Sequence, residues 1–535
     1  MSRPNEKWSA SRVRERPVRP DSASRASAPE TSAPEIHRSC RTGSVVRRVG
    51  AGLAMASMLS GCSFLGFGSW GGSGNGSSEH AVLSLFGSGS HMISGYVGNI
   101  VADEPQAALA AQTVLERGGN AADAAAALGL ALSATLPSRA SLGAGGACLA
   151  WRPGDRHGGE AFVFLPTGDS PPDAVQGPTG RADRPASAPM LARGLFVMQL
   201  RYGSVDFAEL TQPALQLARG GFEVGTQLAA DLEAVQAPLL ADDAARGIFG
   251  RSDGTVMKAG DILLQPRLAG SLERIRSAGP GDLYMGSLAR TFVSASDAAG
   301  GGLTMAGLRT ALPQAVLPLT VTVQGTQVSF LPPPADGGYG MAVAWRDIEN
   351  GRSVSGAGAR AVAGWRASEG GGSASVLTAR AQELLDSGHT PSGGALPNLP
   401  ASTSFAVVDR QGEAVSCALT MNNLFGTGRV AGSTGIVLAA SSAHVPRPLL
   451  PAAIASRDGA FVAAATASGQ ADAADAAAAA LSGAIQGNAD AMKPATSAGR
   501  ANAISCRAGL PGNSARCFGA VDPRGGGYAS GGARN

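Results

Sequence analysis

Apolar and polar positions along the chain fall into blocks of different period, some helical and some strand-like. Over residues 104–136 Ala and Leu recur at helical spacing with a break at Gly118-Gly119-Asn120, which predicts two helices joined by a tight turn. Residues 141–166 read as strands, and 190–245 and 260–312 as mostly helical. PQAVLPLTVTVQGTQVSFL, residues 313–331, alternates as a strand pair around a Gly turn. From Asp347 to Pro400 Gly, Ser and Ala dominate, with one helical piece near Ser375–Asp386. Phe405-Ala406-Val407-Val408, the turn Asp409-Arg410-Gln411-Gly412 and a second strand of alternating small and apolar residues predict a β-hairpin. Phe461–Thr466 reads as a further strand and Asp472–Ile485 as an Ala-rich helix. This order suits a layered α/β domain whose sheets lie inside helical layers.

Composition sharpens that picture. The chain has 535 residues, 44% of them apolar, which is enough for a substantial core. Aromatics supply only 5% while Gly alone numbers 75, so the elements should pack closely through small side chains. Residues 1–50 hold eleven Lys/Arg against five Asp/Glu, and the whole chain nets +3, so the remainder nets about −3. No basic surface argues for nucleic acid. The Arg-rich start reads as a solvated tail.

Arg47-Arg48, a short apolar run and Leu59-Ser60-Gly61-Cys62 form a bacterial lipoprotein signal, with Cys62 as the lipidated residue. The run is too short to span a bilayer. Residues 1–61 are therefore an upstream extension plus the signal, with 1–44 either a misassigned start or a genuine extension. The expected location is the periplasmic face of a membrane reached through the lipid anchor. The absence of an Asp pair after Cys62 (Ser63-Phe64 instead) favours the outer membrane. Residues 62–95 are a Gly/Ser-rich tether. Its Gly66-x-Gly68-x-x-Gly71 has no strand before it and no helix after it, so it is no dinucleotide fingerprint.

Six cysteines become interpretable once export is assumed. Cys40 and Cys62 belong to the N-terminal segment. Cys506 and Cys517 flank a Gly/Pro/Asn-rich loop and are expected to form a local disulfide. Cys148 and Cys417 are expected to be two buried thiols. No Cys or His spacing suggests a metal site, and no cofactor is implied.

The most informative stretch is ASTSFAVVDRQGEAVSCALTMNNLFGTGRVAGSTG, Ala401 to Gly435. Its adjacent hydroxyls, Ser402 and Thr403, lead straight into a buried strand. A hydroxyl in that place is where an N-terminal-nucleophile (Ntn) hydrolase keeps its catalytic side chain. A cut just before it lets one residue supply the nucleophile and, through its new α-amine, the general base. The Gly/Pro-rich run Ser387–Pro400 would be a mobile approach to such a cut. The alternative is that both hydroxyls merely begin a strand.

This stretch resembles the start of the small subunit of γ-glutamyltranspeptidases, also called glutathione hydrolases. Further matches follow in order along the chain: Val101 to Asp123, Ser141 to Gly146, Gln212-Pro213-Ala214 with Ala218 to Phe222, Gln265-Pro266, and Pro332 to Gly338. The resemblance implies a four-layer αββα sandwich of the Ntn-hydrolase type. It implies a large-subunit-like region over 96–401 and a small-subunit-like region over 402–535, cut from one chain before Ser402 or Thr403. The substrate would be a small-molecule γ-glutamyl or other acyl amide.

Gap-free alignment sets Ser402 on the family's catalytic threonine, and a one-residue slip would set Thr403 there. Thr420 and Asn422 fall on residues that hold the nucleophile and the substrate, and a spacing of two puts them on one face of a strand. Ser468 and Gly469 stand in the oxyanion-hole segment. Three family contacts to the glutamyl group are replaced: the arginine by Leu165, the aspartate segment by Leu438 to Ser442, and a serine pair by Leu450-Pro451-Ala452. Leucine cannot make the bidentate pair that a carboxylate needs. An Ntn acylase for a less polar acyl group, and a non-catalytic envelope lipoprotein keeping the fold, are the alternatives.

Overall fold

The protein is described by a computed structural model covering residues 92–167, 183–352, 355–391, 393–398, 401–469, 471–492, 499–512, 514 and 517–530. Cys40, the signal, Cys62 and all of the tether before residue 92 lie outside the described residues. No helix among the described residues is long and apolar enough to cross a membrane.

Two antiparallel sheets carry the domain. The strands are β1 (Gly98–Ala102), β2 (Gly145–Trp151), β3 (Glu160–Phe164), β4 (Gln314–Val316), β5 (Leu319–Val323), β6 (Thr326–Phe330), β7 (Ser402–Asp409), β8 (Ala414–Thr420), β9 (Ala452–Arg457), β10 (Ala460–Ser468), β11 (Arg500–Leu510), β12 (Cys517–Ala520) and β13 (Tyr528–Ser530). The seven-stranded sheet has the order β13-β1-β7-β8-β2-β3-β4, and the six-stranded sheet β12-β11-β10-β9-β6-β5. The predicted hairpin, β7–β8, thus lies at the centre of the larger sheet.

Strand alternation sorts the side chains into three cores and thereby into four layers. Phe405, Val407, Val415, Cys417 and Leu419 face helices α1 (Pro105–Glu116) and α2 (Ala121–Thr135). Ala406, Val408, Ala414 and Ala418 face the other way, against Ile454, Ala464 and Ile504 of the second sheet. That sheet's outer face, with Val462, Ala463 and Ala465, packs on α3 (Gly337–Glu349), α4 (Ala357–Ser368) and α5 (Ala473–Gln486). The order helix, sheet, sheet, helix is the αββα sandwich that the resemblance implies.

Close approach of neighbouring strands in the larger sheet rests on missing side chains. A Cβ at Gly146 would stand 2.3 Å from the Ala418 carbonyl oxygen, and one at Gly145 2.2 Å from that of Phe164. Asn120 caps α2 in a capping box with Asp123, which explains the break at Gly118-Gly119-Asn120.

Several expectations need correction. Cys148 and Cys417 are not two free thiols but a disulfide: they are directly opposed in the β8–β2 register, 4.1 Å apart at Cα. The expected Cys506–Cys517 disulfide forms; only its setting differs, since it joins paired strands because β11 continues to Leu510. The Gly/Ser/Ala-rich region hides a second helix, α4, whose Val362 and Trp365 are buried. β4 joins the larger sheet and not its sequence neighbour β5.

Asp409, at the end of β7, ties the hairpin to the helical layer. Its carboxylate accepts from the N–H groups of Ala121, Gln411 and Glu413 at 2.9–3.0 Å. Burial nevertheless pushes this carboxyl up to about 6. The folded value exceeds the ordinary carboxylate value, so its contribution to stability is present below about pH 4 and is lost as pH rises through about 6. Thermal unfolding of wild type and Asp409→Asn should show it. Their difference should move against the wild type by on the order of 2–3 kcal/mol between pH 4 and pH 7; a pH-independent difference would refute this reading.

Candidate active site

The start of β7 and the end of β8 build the site. Ser402 pairs with Thr420 and Thr403 with Leu419 in the β7–β8 register. Because side chains alternate, Ser402, Ser404 and Ala406 share the face toward the second sheet, and Thr403 shares the helix face with Phe405. Across the gap, the Gly469 N–H donates to Ser402 Oγ at 3.4 Å, the outer edge of hydrogen-bonding distance. Gly469 has φ +117°, a backbone shape that suits glycine. Ser468 lies at the end of β10, opposite Arg500.

Thr420 bridges the site. Its hydroxyl donates to the Ala401 carbonyl at 3.1 Å and accepts the Asn422 N–H at 2.9 Å. The expected shared strand face for Thr420 and Asn422 does not form, since β8 ends at Thr420 and Asn422 turns left-handed with φ +59°. The turn still brings Asn422 beside Thr420. Its amide donates to the Pro166 and Ala440 carbonyls at 3.1 and 3.0 Å, so it pins the ends of both divergent segments.

Thr403 is occupied elsewhere. Its hydroxyl donates to Asp103 Oδ2 at 3.1 Å, and Asp103 also accepts the Ser404 N–H and the Asn502 amide. The structure therefore brings together Ser402, Thr420, Asn422 and Gly469, and it turns Thr403 toward Asp103.

The sequence reading missed Arg139. Its guanidinium forms a bidentate pair with Asp231 at 2.7 and 2.8 Å and donates to the Ser402 carbonyl at 2.8 Å. Ser138 and Gln227 donate to the same Asp231 carboxylate, each at 2.7 Å. Burial opposes the charge, but the bonds to Asp231 and the fields of Asp231 and Asp103 raise the Arg139 pKa above its ordinary value. A signal was present: from Ala124 to Trp151 Arg139 is the sole charged residue.

Two of the three replaced segments reach Asn422, through the Pro166 and Ala440 carbonyls. Leu165, Leu450 and Ala452 sit in the core between the sheets, and Leu438 and Ala440 are buried. Arg366 holds the 447–448 backbone through the Arg447 and Pro448 carbonyls while making a bidentate pair with Asp336. Asp336 belongs to the Pro332–Gly338 match, which thus acts as an anchor for the segment leading to Leu450. Among the described residues no cluster of His, Cys, Asp or Glu is placed to hold a metal ion.

Comparison with known proteins decides the family. The profile described as Gamma-glutamyltranspeptidase matches residues 107–369 and 366–448. The chain belongs to the γ-glutamyltranspeptidase family. It is similar to the glutathione hydrolase proenzyme of Escherichia coli (strain K12), with 29% identity over 65% of this chain and 67% of that protein. It is also similar to glutathione hydrolase 3 of Arabidopsis thaliana, at 31% identity over 50% of this chain but 42% of that one. Among solved structures, the cephalosporin acylase from Bacillus halodurans superposes with a TM-score of 0.65, covering 83% of this chain and 97% of its own at 18% identity. That likeness establishes the fold: this γ-glutamyltranspeptidase family member has the Ntn-hydrolase architecture.

Asn422→Ala should leave the Pro166 and Ala440 carbonyls short of a donor and put a Cβ residue without a side-chain amide in a left-handed turn. It should cost about 2–3 kcal/mol in thermal or denaturant unfolding. Asn422→Gly, which relieves the backbone, should cost less; equal losses would count against the backbone part of this account.

Proposed function

We propose that the protein is a self-cleaving Ntn enzyme that hydrolyses or transfers the acyl group of γ-glutamyl amides, with Ser402 as nucleophile. The observation that carries this is the Thr420 hydroxyl on the Ala401 carbonyl, beside a Ser402 side chain facing Gly469. Ser402 Oγ attacks the Ala401 carbonyl carbon while Thr420 stabilises charge developing on the oxygen. The acyl group moves from nitrogen to oxygen, the Ala401–Ser402 peptide bond breaks, and water hydrolyses the ester. Ala401 is left as a carboxylate and Ser402 with a free α-amine. In turnover that amine takes the Ser402 proton and later gives it to the leaving amine, and the Gly469 N–H serves the oxyanion. Water or an amino acid then resolves the acyl-enzyme. Thr403 is not the nucleophile in this reading, because its hydroxyl is committed to Asp103.

Leu165 and Leu450 favour a second reading of the substrate, an amide with a less polar acyl group. A glutamyl carboxylate set beside Leu165 loses a charge-assisted bond of roughly 1.5–3 kcal/mol. Export as a lipoprotein anchored at Cys62 is part of the proposal. It is supported by the signal-like sequence and by two disulfides, which suit an oxidising compartment.

Intact mass and N-terminal sequencing of protein beginning at Ser63 test the core claim. Two fragments are expected, the smaller starting at Ser402. Ser402→Ala should remain one chain, and Thr420→Val should be cut at least about tenfold more slowly. An uncut wild type, or cutting that survives Ser402→Ala, would sink the proposal and leave a binding or structural role. Turnover of γ-glutamyl-p-nitroanilide against a panel of acyl-anilides separates the two substrate readings.

Cleavage gives the Cys148–Cys417 bridge a second consequence, since the cut falls between the two cysteines. The fragments should migrate together on a non-reducing gel and separate on reduction. Separation without reductant would exclude the bridge.

A further inference from the structure

Arg139 is the charged group nearest the backbone of the proposed nucleophile, and nothing in the acyl-transfer steps uses it. We propose that Arg139 is a positioning residue that clamps the Ser402 carbonyl and holds a positive charge beside the α-amine that cleavage creates. The inference rests on Ser402 becoming the N-terminus of the small subunit.

The geometry is directional. Asp231 takes the Nε and Nη2 side of the guanidinium, and Ser138 and Gln227 fix Asp231 in turn. That leaves Nη1, which donates to the Ser402 carbonyl at 2.8 Å. The carbonyl oxygen and the nitrogen of one residue are separated by covalent geometry alone, which sets the guanidinium within about 6 Å of the future amine. The cationic end of the Arg139–Asp231 pair thus contacts the Ser402 backbone, and Asp231 takes another edge of the guanidinium. A like charge at that distance disfavours protonation of the amine. A general base has to be unprotonated to take the serine proton, so the clamp would keep it competent near neutral pH.

Other charges bear on the same group. Asp103, in the turn after β1, opposes the effect, with both of its oxygens engaged by Thr403, Ser404 and Asn502. Its neighbour Glu104 is turned to cap α1. Arg500, at the start of β11, adds a second cation bonded to Gln227; burial and then Arg139 lower its own pKa. A neutral Gln at position 139 removes the nearest positive charge, whereas Lys keeps the charge and loses the fork.

The test is competitive acetylation of the processed protein with acetic anhydride across pH 5–10, read at the Ser402 N-terminal peptide by mass spectrometry. This needs no substrate. In wild type the midpoint should fall below the ordinary α-amine value of about 7.7–8.0. Arg139→Gln should raise it by about one pH unit, and Arg139→Lys should stay near wild type. A wild-type midpoint at or above the ordinary value overturns the inference, even if Arg139→Gln fails to fold or to be cut. So does an Arg139→Gln profile that overlays the wild type. A wild-type chain with no Ser402 N-terminus instead refutes the proposed function, which separates the two failures.

Discussion

A side chain on a strand can face only one of two layers, and that constraint organises this site. Ser402 and Thr403 are adjacent and chemically alike, yet β7 sends one toward the second sheet and the other toward Asp103. The phase is fixed by the buried residues that follow, because Phe405 and Val407 belong to the helix-side core and Ala406 and Val408 to the inter-sheet core. A slip of one residue would put Phe405 or Val407 in the place where Ala406 packs between the sheets. The identity of the hydroxyl that meets Gly469 is thus set by packing several residues away.

Close approach of neighbouring strands is the second condition, and small residues supply it. The glycine-rich run Ser141–Gly146 lets β2 approach β8 and β3 to backbone contact. This places Pro166, just beyond β3, within reach of Asn422, and Asn422 in turn reaches Thr420. The scarcity of aromatics and the abundance of Gly and Ala are therefore expressed in the distances that assemble the hydroxyls.

How much of this was legible in the sequence varied with the range of the interaction that decides each feature. Local signals read well: the turn at Gly118-Gly119-Asn120, the hairpin, and the Ala-rich helix ending at Gln486 all depend on neighbouring residues. The Cys148–Cys417 bridge depends on a pairing register 269 residues apart, which no local pattern encodes. Asn422 was expected on a strand because spacing alone cannot show that the strand stops at Thr420. The helix Ala357–Ser368 was hidden because its Gly, Ala and Ser content matches that of the loops beside it. Arg139 carried a visible mark, a lone charge in a long uncharged run, but its partner Asp231 belongs to a helix almost a hundred residues on.

In the proposed reaction, chemistry and recognition fall to different parts of the fold. The hydroxyl, the bridging threonine and the glycine N–H come from strand ends held by both cores. The positions proposed to meet the acyl group lie in segments outside the strands, at Leu165, Leu438 to Ser442 and Leu450. Substitution there changes what the site can hold without disturbing the register that builds the nucleophile. Under that proposal Leu165 gives a glutamyl carboxylate no charge partner, while Arg139 and Asp231 supply a charged pair directed at the protein's own backbone. The charged pair is thus directed at the backbone of the proposed nucleophile, while Leu165 offers an acyl group apolar surface only.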